Sequence, residues 1–144
     1  MTNIEKINSL LDKLEEKLGS SSSLREENLK HIGQLVKTLH LDKKHSNFDT
    51  IFNYKAMNLA GIGLKNEDFG EIREGKYVQI IAIASEINEE GQKIIKNLSL
   101  GYYGKAERLK EKDKQNIIEF VLRWRYEKTF RHSDYYQRLL ATIT

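Results

Sequence analysis

The chain has 144 residues, 39% hydrophobic and 31% charged, a balance that excludes disordered, collagenous and membrane-embedded classes. It holds no cysteine and no proline, which rules out thiolate metal sites, cysteine nucleophiles and disulfide scaffolds, points to a reducing compartment, and favours helices, the element that best tolerates a proline shortage. The formal charge, +3 from 24 basic and 21 acidic side chains, is too small to demand a polyanionic partner by itself.

One all-α domain over residues 1–144 is expected. The opening residues lead straight into an amphipathic pattern rather than an apolar signal segment, and no apolar run approaches the ~20 residues that cross a bilayer, so a cytoplasmic protein without membrane contact is expected. Ile4, Ile7, Leu11, Leu14 and Leu18 follow 3-4-3-4 spacing on a helix over 3–18, started by a Thr2-x-x-Glu5 capping box and closed by Gly19. A second box, Ser23-x-x-Glu26, opens a helix with Leu29, Ile32, Val36 and Leu39 facing inward and an end near Leu41. Residues 42–45 read as a loop, and Ser46-x-x-Asp49 starts a third helix carrying Ile51, Phe52, Tyr54, Met57 and Leu59, ended by Gly61 and Gly63. A charged loop over 65–75 follows, with one helical turn near Asp68 to Arg73.

From Tyr77 to Leu98 the apolar residues recur at near-heptad spacing and predict a long central helix. A strand over 77–83 is the competing reading, set aside because no second alternating run is recognised to pair with it. Gly91 then marks the close approach of another helix. Gly101 to Gly104 read as a turn, 105–112 as a charged helical stretch, and a helix from about Asp113 carries Ile117, Ile118, Val121 and Leu122. A short terminal helix from Ser133 would hold Tyr135, Tyr136, Leu139, Leu140 and Ile143. The expected architecture is a bundle of five or six helices.

Charge and aromatics concentrate late in the chain. Residues 1–104 hold 14 basic and 15 acidic side chains, whereas 105–144 hold 10 and 6, and eight of the 13 aromatics lie at or after Tyr102. Cations interleaved with rings suit RNA or single strands, where phosphates are neutralised and unpaired bases stack. Arg123, Lys128, Arg131 and Arg138, with Trp124, Tyr126 and Tyr135, form the candidate nucleic-acid surface, and a small subunit of a nucleoprotein complex is the leading reading. No metal site and no cofactor are expected, since His31, His40 and His45 lack ligand spacing and Gly61-Ile62-Gly63 lacks the rest of a phosphate loop.

On a helical wheel Arg125, Thr129 and His132 lie within about 40° of Ile118, prolonging the stripe of Ile118, Val121 and Leu122 with polar groups. Arg125 and His132, six residues between them, resemble the Arg-x(4–6)-His motif of the HEPN ribonucleases. That resemblance implies a small all-α dimer in which the two residues cleave RNA without a metal. Tyr126 departs from the small polar residue usual after the arginine, and the resemblance covers eight residues. A helical protein-protein adaptor is the third reading, with the N-terminal apolar stripe and the aromatic C-terminus each offering a docking face and a homodimer left open.

Overall fold

The computed structural model describes residues 2–43 and 47–144, with the backbone alone over 14–22. The fold is mixed α/β, and this overturns the expected all-α helical bundle. Helix α1 (Asn3–Thr38) is followed by strands β1 (Ala56–Ala60), β2 (Tyr77–Ile87) and β3 (Lys93–Lys105), then by helix α2 (Glu111–Ile143). Three short 3-10 turns, Leu41–Lys43, Phe48–Asn53 and Ala106–Arg108, complete the regular structure of the described residues.

The predicted central helix over 77–98 is a β-hairpin. Val78, Ile80 and Ala82 are buried in alternation with more exposed neighbours, the signature of a strand with one face on a core. The missing partner is the run after Lys93, in which polar Asn97 and Ser99 alternate with Leu98 and Leu100. Both neighbours of β2 run antiparallel to it, in the order β1-β2-β3, with Met57 opposite Ala82 and Ala82 opposite Leu98. The joining turn is made by Asn88, whose side-chain oxygen accepts from the backbone N–H groups of Glu90 and Gln92, and by Gly91 at φ +80°. Open space surrounds Gly91, so its glycine answers to the turn rather than to a neighbouring helix. Residues 101–104, read as a turn, lie inside β3, where the Tyr103 ring fills the space a Cβ on Gly101 would need.

The helices also differ from expectation. Thr2 and Glu5 form the expected capping box, but the helix they start runs through Gly19–Ser23 to Thr38, its serines and glycine being outvoted by strong helix formers on both sides. It ends at Leu39, and His40 takes the left-handed conformation at φ 59°. The third predicted helix is a 3-10 turn capped by Asn47, whose side chain accepts from the Asp49 N–H, and its second half is β1. The Ser46 cap, the Lys44–His45 part of the loop, and the side chains of Leu14 and Leu18 lie outside the described residues. Residues 113–143 form a single helix with no break at Ser133.

Ile32, Leu35, Val36 and Leu39 from α1 meet Val78 and Ile80 from the sheet and Ile117, Phe120, Val121 and Trp124 from α2 in one core. Arg25 and Asn28 of α1 bond to Glu127, Asp134 and Arg123 of α2, so the two helices run antiparallel. At 36 and 33 residues each helix is roughly 50 Å long at 1.5 Å per residue, and among the described side chains buried positions occupy only residues 28–36 of α1 and 117–127 of α2.

Candidate functional site

The buried residues of α2 are Ile117, Ile118, Phe120, Val121, Trp124 and Glu127, a face centred about 110° around the helix from Ile118, which lies at its edge. Apolar residues give way to charge on this face. Glu127 is fully buried and accepts from Nε and Nη2 of Arg25, both at 3.0 Å, and from Nε of Arg131 at 3.0 Å. Arg25 continues through Nη1 to Asp134 at 2.8 Å and lies over the Phe130 ring, while Arg131 covers Phe52. The two carboxylates hold the Arg25 guanidinium charged well beyond its ordinary range. This bidentate cluster meets the demand that a buried carboxylate be paired and hydrogen-bonded, and it ties α1 to α2.

Most of the predicted nucleic-acid surface is engaged by the protein itself. Trp124 is buried, its indole N–H donating to the Ile51 carbonyl at 2.8 Å. Lys128 lies over the Trp124 ring and donates to the Phe52 carbonyl at 2.9 Å, and burial, helped by the charge on Arg131, lowers its ammonium pKa. Arg123 bonds to Glu119 and to the buried Asn28. Tyr126, Tyr135 and Arg138 are exposed, and Arg138 borders an open cleft with Arg25, Arg131, Asp134 and Gln137.

Arg125 and His132 share one side of α2, two turns and about 10 Å apart along its axis, and both are exposed. Arg125 donates to the Met57 carbonyl at 3.0 Å and to Asn58 Oδ1 at 3.3 Å, which pins the helix to strand β1. It also borders a cleft of about 250 Å3 to which Lys65 and Arg73 bring further cations. Among the described residues no three His, Asp or Glu side chains are placed to hold a metal ion. His31 faces Glu27, and no described helix is long and apolar enough to cross a membrane.

The ends of both helices run past the core and carry apolar side chains that the described residues leave largely exposed. On α1 these are Ile4, Ile7, Leu10 and Leu11; on α2 they are Tyr135, Tyr136, Leu139, Leu140 and Ile143, and all nine are between 45% and 79% exposed. Ile4, Ile7 and Leu11 fall within about 80° of Ile32 on the wheel, so the α1 stripe prolongs the packed face. The α2 set does the opposite. It spreads over an arc whose centre is about 180° from the face that Arg123, Glu127, Phe130 and Asp134 turn toward α1.

No protein-family model, curated protein or solved structure matches this chain.

Sequence reasoning named every residue of the α2 tail but placed them on a separate helix. It missed Glu127, Arg25 and Asn28. Their signal was available: Glu127 stands one turn after Trp124 on the 117-120-124 stripe, where an acid must find a cation.

Proposed function

We propose that the chain is a non-catalytic docking module, an α/β body that presents the free ends of two antiparallel helices to another protein surface. The observation that carries this reading is the uncovered apolar set on α1 and α2, far more than the scattered exposed hydrophobics of an ordinary surface. Three of the four cations of the expected nucleic-acid surface, Arg123, Lys128 and Arg131, and Arg125 beside them, are held in bonds within the chain, which weights the reading toward protein. A photo-cross-linking residue in place of Leu139 tests it in the cell. Adducts mapped to peptides, lost on Leu140→Glu, are expected; adducts to nucleic acid alone, or none, would overturn the reading.

Single-stranded RNA is the second reading, favoured by the exposed rings of Tyr126 and Tyr135 and by exposed Arg138 on the same helix. Its test is the salt dependence of binding to a labelled RNA. Log affinity should fall with log salt in proportion to the phosphates contacted.

A further inference from the structure

Resting on the docking reading, we infer that the occupant of the two helical faces is a second copy of this chain, joined about a twofold axis so that the α1 stripe of one copy packs on the α2 tail of the other.

Four observations lead to this partner. The stripes cannot satisfy each other within one chain, because Ile4, Ile7 and Leu11 prolong the face of α1 that meets α2, while Tyr135, Tyr136, Leu139, Leu140 and Ile143 lie on the side of α2 turned away from α1. On the side turned toward α1 the same stretch of α2 carries Asp134, Gln137, Arg138 and Ala141, which border an open cleft rather than a core. Only a second molecule brings the stripes together, and a twofold arrangement uses both twice.

The area is sufficient. Nine large side chains at these exposures present on the order of 1,000 Å2 per chain, so two chains that bury even half of it reach the ~1,000 Å2 a stable interface has to clear.

The charges allow self-contact. Over 3–13 the α1 end carries Glu5, Lys6, Asp12 and Lys13, and beyond Ser133 the α2 end carries Asp134 and Arg138, so each end is neutral and copies meet without like-charge repulsion. The spacing fits as well. Ile4-Ile7-Leu11 and Tyr136-Leu140-Ile143 step by alternating threes and fours, the rhythm that lets helices interlock at a shallow crossing angle.

Sedimentation velocity of the full chain from about 1 to 200 µM tests the inference. The wild type should pass from a 16.8 kDa monomer to a dimer. Leu11→Glu and Leu140→Glu should each weaken self-association at least roughly 100-fold, since each places a charge in the centre of the contact. Ile87→Glu, on the exposed hairpin end, should leave it unchanged, and circular dichroism should show all three variants folded. A wild type that stays monomeric at the highest concentration, or a dimer that survives both glutamates, would overturn the inference. A monomer that still forms mapped cross-links from position 139 to a different protein would overturn only the second copy and leave the docking reading standing.

Discussion

Between Ile117 and Arg131, α2 lies against the body with Phe120 and Trp124 buried, its indole and ammonium groups donating to carbonyls of the Phe48–Asn53 turn, and Glu127 held by two arginines. From Ser133 to Ile143 the same unbroken helix carries five more large apolar residues, yet every position is exposed. The difference lies in partners rather than in helix-forming strength. A helix face becomes core only where another element is presented to it, and an amphipathic end without one is an unfinished interface.

Substitutions should separate the two regions. In the body, Trp124→Ala removes a buried ring and strands the Ile51 carbonyl, and should lower unfolding stability by about 3–5 kcal/mol, read from urea denaturation with an unchanged slope. A loss below ~1 kcal/mol would mean that this half of α2 is as free as its tail. Glu127→Ala leaves Arg131 without its acceptor and Arg25 with Asp134 alone, and should cost about 3 kcal/mol by the same assay. In the tail, Leu140→Ala should change the stability of dilute protein by no more than ~0.5 kcal/mol, with its whole effect appearing only as concentration rises.

How far these regions were legible in the sequence follows from the same contrast. The Thr2 capping box, the apolar positions Ile32, Val36 and Leu39, and the apolar residues of α2 could be read directly, because they depend on neighbours three and four residues away. The sheet could not. Pairing of Ile80 with Gly101 and of Ala82 with Leu98 is set by residues some twenty positions apart, and the isoleucines on either side of the 88–91 turn fall by coincidence near helical spacing. The Ser23 box failed for a related reason: its residues can cap a helix, but helix formers before and after them made the interior cheaper than a break. At the candidate site, the basic residues were found and their role was not, since a lysine over a tryptophan and an arginine on a strand carbonyl look identical in sequence to free cations.

The smallest expected effect concerns Tyr103, whose hydroxyl donates to the Leu39 carbonyl and whose phenol burial pushes up to about 12. An unfolded tyrosine ionises near 10. The unfolded chain therefore releases this proton first, so the contribution of Tyr103 to stability is intact below pH 10 and is lost as pH rises from 10 toward 12. Ultraviolet titration of the wild type against Tyr103→Phe should show one phenol missing from the late part of the curve. A phenol missing near pH 10 instead would place Tyr103 at the surface.

Peptide-resolved hydrogen exchange at about 1 and 100 µM tests most directly the claim that the body covers itself while the helix ends are covered by a second copy. Protection of residues 117–131 should be the same at both concentrations, and protection of 3–13 and 133–143 should rise with concentration in the wild type but not in Leu140→Glu. Equal protection of the helix ends at both concentrations would contradict the account.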